Sequence, residues 1–196
     1  MLADGTTVYL NAESELRFPK QFRGKNRKVY LTGEGYFDVQ RNEKQPFIVE
    51  AQQVEIRVLG TSFGVRAYTK EENVLTTLIQ GRVNVEADGQ QVELNPGQQA
   101  DYNRGNDRLT VAEVDVEQYV GWKDGRLVFD NKPLEFILEE LGRWYSFDVF
   151  YTNKELKEIP YSLNIKKHED IAHVLKFIER TGKVKFEVNK NTIIVK

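Results

Sequence analysis

No cysteine occurs among the 196 residues, so neither a disulfide framework nor thiolate chemistry is available to this chain. That absence fits the cytoplasm and a bacterial periplasm equally well. Histidine is scarce too. His168 and His173 are the only two, and five residues apart on one helix they stand about 140° round from each other, too far to grip one metal ion. Both are expected to face solvent. No run approaches the ~18 apolar residues of a membrane span, and no signal-peptide core is present. Met1 opens almost directly on a strand, LADGTTVYL, and reads as an introduced start, so a leader or anchor in the native protein is left open. Strong charge of one sign is lacking as well. Residues 1–122 carry 14 Lys+Arg against 18 Asp+Glu, and residues 123–196 carry 14 against 12. A nucleic-acid or anionic-membrane partner is therefore not expected.

What is present is enough apolar residue for a real core, 40% against 30% charged, arranged mostly with period two. The stretch from Val29 to Val65 shows this best. Val29, Leu31, Phe37 and Val39 share one parity, with Gly33 and Gly35 between them; Tyr30, Thr32, Glu34, Tyr36 and Asp38 take the other, towards water. Phe47, Val49 and Ala51 make a second pass and Val54, Ile56 and Val58 a third, before Gly60 interrupts and Phe63 and Val65 resume. Turn signals recur every ~8–12 residues: Asp4-Gly5, Lys70–Asn73, Asp88-Gly89 and Asn95-Pro96-Gly97. This predicts an antiparallel β-sandwich or β-roll over residues 1–122. VYLTGEGYFDV and TLIQGRVNVEA each carry a mid-strand glycine, which marks a bend and suggests strands folding over onto a second layer.

The pattern changes after Asp115. VEQYVGW reads as a short linking helix. Beyond it, Pro133 opens a helix with Leu134, Ile137, Leu138, Leu141 and Tyr145 on one stripe, and a second helix aligns Ile171, Val174, Leu175 and Ile178 before Gly182. With strands at Arg126–Phe129, FDVFY, YSLNI, VKFEV and TIIVK, residues 123–196 form a small α+β module of order βαββαββ. The fold class is mainly β plus α+β.

Catalytic signatures are missing from this frame. Gly60-Thr61-Ser62-Phe63-Gly64 has the glycines of a phosphate loop but neither its lysine nor a following helix, and reads as a bulged strand. No carboxylate pair has a motif, although a glycosidase pair would leave none. The leucine repeat at Leu127, Leu134 and Leu141 begins in a strand and so is not a coiled coil. No cofactor or metal site is expected, and the chain is not read as an enzyme. The aromatic residues of the C-terminal module, Trp144, Tyr145, Phe147, Phe150, Tyr151 and Tyr161, exceed what its core needs; one or two left exposed would serve as interface anchors. A competing reading, a secreted carbohydrate-binding β-sandwich, would need exposed rings such as Tyr30 and Tyr36 on one face.

The segments LADGTTVYLNAESEL with Phe18-Pro19, VYLTGEGYFDV, PFIV, VLGTSFGVRAY, IQGRVNVE, LNPGQQA and WKDGRLVF, in this order over nearly the whole chain, resemble the periplasmic part of the FecR family of transmembrane anti-sigma factors, in the form common in Bacteroidetes. Gly35 stands where the family commonly has Ala, and Gly64 where it has Asn. The resemblance implies a C-terminal module similar to the short domain at the N-termini of secretins and TonB-dependent transducers. It also implies a relay: a TonB-dependent outer-membrane transducer signals to this region, which controls an extracytoplasmic-function sigma factor through one inner-membrane helix and a cytoplasmic segment absent from this sequence. The expected contact lies in residues 123–196. Its candidates are the supposed edge strands around Tyr161, Leu163 and Ile165 and around Ile193 and Val195, where a partner strand could add, with Trp144 and Phe150 as anchors.

Overall fold

The structure is a computed structural model describing residues 1–196. It divides into two compact units, Met1–Lys123 and Asp124–Lys196.

In the first unit the strands are β1 (Thr7–Leu10), β2 (Glu15–Arg17), β3 (Arg27–Asp38), β4 (Phe47–Ala51), β5 (Val54–Val58), β6 (Ser62–Ala67), β7 (Asn73–Gln80), β8 (Val83–Ala87), β9 (Gln90–Leu94), β10 (Gln98–Asn103) and β11 (Arg108–Glu113). They pair in the order β11-β10-β7-β6-β3-β4-β5-β8-β9, with β1 and β2 also on β3. The long β3 belongs to two layers. Its first part pairs with β2 and β4, and from Gly33 onward it pairs with β6, then also with β1. The turn between layers falls at Gly33, whose φ is +90°. A Cβ there would sit 2.4 Å from the Ser14 hydroxyl and 2.8 Å from its Cα, so both backbone conformation and space demand glycine. Gly81, at φ +98°, carries the chain from β7 in one layer to β8 in the other. The two mid-strand glycines are thus the places where strands fold over.

One pairing departs from an antiparallel sandwich. β3 and β4 run parallel, Arg27 opposite Phe47, because residues 39–46 return the chain to the beginning of β3 before β4 starts. The Gly60–Gly64 run is the bulged strand start expected of it, with a register shift between Ser62 and Phe63. Asp88 and Gly89 both have positive φ, +46° and +72°, as a two-residue β8–β9 hairpin requires.

The core draws on both layers. Phe37 and Phe63 stack at 5.2 Å, and Phe37 meets Phe47 at 6.3 Å. Side chains of the expected inner parity are buried throughout β3, with one correction on the outer parity. Glu34 is buried rather than wet: Asn11 Nδ2 donates to its Oε2 at 2.7 Å, and the Arg66 guanidinium lies 3.5 Å away. A second buried ion pair fixes the N-terminal segment. Arg27 is wholly enclosed; its Nη1 donates to Asp4 Oδ2 at 2.6 Å and to the Gln40 carbonyl at 2.8 Å, and its Nε to the Gln45 carbonyl. Burial pushes the Asp4 carboxyl up, but hydrogen bonds from Thr6 and Arg27 outweigh it and hold the group below its ordinary value. The unit closes with α1 (Glu117–Val120) and a 3-10 turn, Gly121–Asp124. Val120 is buried, and a Cβ on Gly64 would come within 2.9 Å of its Cγ1.

The second unit comprises β12 (Arg126–Pro133), α2 (Leu134–Tyr145), β13 (Asp148–Tyr151), β14 (Pro160–Lys166), α3 (Ile171–Glu179), β15 (Phe186–Asn189) and β16 (Thr192–Val195), the βαββαββ order read from the sequence. Its strands do not share one sheet. β12 and β14 form an antiparallel pair, while β16 lies between a parallel β13 and an antiparallel β15. Leu134, Ile137, Leu138 and Leu141 of α2 and Val174, Leu175 and Ile178 of α3 are buried, as their helical spacing requires. No helix of either unit is long and apolar enough to cross a membrane.

Candidate partner-binding surface

The anchors named from sequence separate sharply once burial is known. Phe150 is 60% exposed; it stands on β13, an outer strand of the three-stranded sheet. Trp144 is half-buried on α2, with the Lys167 ammonium 5.3 Å from its ring. Tyr161, Leu163, Ile165, Ile193 and Val195 are all buried. Their side chains hold the unit together, and none projects from the surface as an anchor. The reason is the same alternation that marked them: on β14 the apolar parity faces inward, and Ser162, Asn164 and Lys166 are the exposed residues. A second correction concerns β16. It is a central strand, with neighbours on both sides, so its backbone groups are already engaged and no partner strand can add there.

β14 does have an open side, because its sheet contains only β12 and β14. Alongside it lies a groove of about 420 Å³ shared with α3, floored by Leu163, Ile165 and Val174 and flanked by Phe177. Phe177 is 59% exposed. The helix stands there because Asp170 caps it, accepting from Ala172 N at 2.9 Å, and because Val174, Leu175 and Ile178 face the core. The sequence reading took that inner stripe and passed over Phe177. An aromatic residue between Lys176 and Ile178, off the core stripe, was the available signal. The two histidines are exposed as expected, but only His173 is helical; His168 precedes α3.

Other chemistry is sparse. Burial, with Glu135 and Glu139 nearby, pushes the Tyr151 phenol well above its ordinary value, and its hydroxyl has no hydrogen-bond partner. In the first unit the Tyr102 hydroxyl donates to Asp107 Oδ1 at 2.8 Å; that bond, with burial, pushes its pKa up to about 12. Tyr30 and Tyr36 do not form one platform. They lie on either side of Gly33, in different layers; Arg17 and Lys28 flank the first ring at 5.7 and 5.9 Å, and Lys123 lies 5.0 Å from the second.

Known families fit both units. The profile of the FecR protein matches residues 1–84, and that of the FecR C-terminal region matches residues 126–195. The chain belongs to the FecR family. Two crystal structures of a candidate anti-sigma factor from Parabacteroides distasonis resemble this FecR-family chain over its length. One is 28% identical, with a TM-score of 0.90 over 100% of this chain and 92% of the other. The second is also 28% identical, with a TM-score of 0.89 over 99% and 91%. No curated protein matches the sequence.

Proposed function

We propose that this chain is the signal-receiving part of a FecR-type anti-sigma factor, acting in the periplasm as a regulator and not as an enzyme. The observation that carries the reading is the family match in each unit together with the likeness to an anti-sigma factor candidate along the whole chain. In this reading a TonB-dependent outer-membrane transducer, loaded with its nutrient, presents a signalling domain to Asp124–Lys196. That unit resembles the short N-terminal domain of secretins and transducers. An inner-membrane helix and a cytoplasmic segment outside this sequence carry the state of the receiver to an extracytoplasmic-function sigma factor. The open edge of β14 and the exposed Phe150 support placing the contact in the second unit, since a two-stranded sheet can accept another strand.

The test is calorimetry of the full chain against the signalling domain of the TonB-dependent transducer encoded beside it. Saturable binding is expected, with amide protection gained within residues 124–196. Absence of binding, or protection confined to residues 1–123, refutes the proposal.

A further inference from the structure

The hydrogen-bond pattern of β14 defines which of its backbone groups are free. Lys167 N donates to the Gly125 carbonyl at 2.8 Å, so Leu163 and Ile165, of the same parity, bond towards β12. Ser162, Asn164 and Lys166 then direct their N–H and C=O groups away from it. Lys166 is already satisfied by Glu169, whose Oε1 accepts from Lys166 N at 3.3 Å and whose N donates to Lys166 O at 2.9 Å. What remains is the backbone of Ser162 and Asn164, opening on the groove beside α3.

The charge around that groove is mainly positive, Lys176 and Arg180 against the single carboxylate of Glu169, which is held at the Lys166 backbone. His173, Lys176, Phe177 and Arg180 recur at helical spacing and all line it. Neither Lys176 nor Arg180 has a carboxylate partner. The imbalance extends beyond the helix: residues 159–196 hold eight Lys and Arg against four Asp and Glu, whereas residues 124–158 hold five against eight. Basic side chains beside an apolar floor and unpaired strand groups are complementary to one kind of ligand.

We propose that the groove between β14 and α3 receives an extended acidic segment of a protein partner, which adds to Ser162 and Asn164 as a third strand and places its carboxylates against Lys176 and Arg180. Alternate residues of that strand meet Phe177 and the apolar floor, and the charges set selectivity and the rate of encounter. Identifying the segment as part of the transducer's signalling domain rests on the function proposed above; the groove's preference for an acidic strand does not.

The test uses the full chain, labelled for amide NMR, and two capped peptides: Thr-Glu-Val-Glu-Val-Glu-Thr and its counterpart with Lys for Glu. The acidic peptide is expected to shift the Ser162 and Asn164 amides and slow their exchange. K176E/R180E should weaken it by about tenfold or more, Phe177→Ser by a few-fold, and salt near ~500 mM should largely abolish it. These residues are exposed, so both variants stay folded. Equal binding of the Lys peptide, or unchanged Ser162 and Asn164 amides at roughly millimolar acidic peptide, overturns the proposal. The transducer titration separates the two readings. Transducer binding without peptide binding overturns the groove alone, and peptide binding without transducer binding overturns the relay alone.

Discussion

The two units reach stability by different routes. Met1–Lys123 wraps strands into two layers around one core, joins the layers through β3, and buries whole ion pairs inside. Its outer strands are tied down: Gln90 of β9 donates to the Asp107 carbonyl and accepts from Leu109 N of β11. Asp124–Lys196 instead divides five short strands between two small sheets, one with only two strands. One of its ion pairs, Glu140 with Arg143 on α2, is buried, while others, such as Lys157 with Glu135, lie near the surface, where each contributes little. It also leaves a strand edge of β14 open, and although both units expose some large apolar side chains, Phe150, Phe177 and Val188 are more exposed than any in the first unit except Met1. A framework with tied-down outer strands and a module with an open strand edge are joined in one chain, and that difference is why the contact proposed above is placed in the second unit.

The comparison can be broken most severely at Gly33. Gly33→Val imposes a branched side chain at positive φ against Ser14, at a cost of about 4 kcal/mol. Denaturant unfolding should show the first unit melting early while far-UV signals of α2 and α3 persist; one coincident transition would mean that the units are not energetically separate. Leu138→Ala attacks the other side. It empties part of the α2 core and should cost about 3 kcal/mol, with the β-sandwich transition unmoved. Asp4→Asn should cost about 2 kcal/mol at neutral pH by leaving Arg27 buried against a weaker acceptor. The Asp4 pKa is depressed by folding, so its contribution is present above the ordinary value of 3.8 and is lost as pH falls through the lower folded value. The gap between wild type and variant in acid-titrated melts should therefore close below that pH. The smallest expected effect is a gain. Tyr151→Phe removes a hydroxyl that finds no partner and should leave the second unit unchanged or more stable by about 1 kcal/mol.

Local features were legible in the sequence, and long-range ones were not. The parity of Val29, Leu31 and Phe37, the helical stripes of α2 and α3, the Asp88-Gly89 hairpin and the layer-changing role of Gly33 and Gly81 all follow from side-chain period and backbone freedom. Glu34 misled because its partners, Asn11 and Arg66, are 23 and 32 residues away and nothing near it in sequence announces them. The status of β16 was hidden for the same reason. Whether a strand is central depends on which strands pair, and the β13–β16 match joins residues 44 positions apart. At the candidate surface, alternation on β14 was read correctly but from the wrong side: the apolar residues drew attention, while a partner would meet Ser162, Asn164 and the backbone between them.

The central position of β16 also bears on the order in which the molecule comes into being. Residues 192–195 are made after every other strand of the second unit, yet β13 and β15 are neighbours only through them. A chain emerging from its N-terminal end can assemble the β-sandwich, α2 and the β12–β14 pair while this sheet is still three separate pieces. Its closure waits on contacts of long sequence separation, the slow kind. Deleting residues 192–195 would therefore not shorten an edge. It would withdraw the middle of a sheet and return the module to a half-made state.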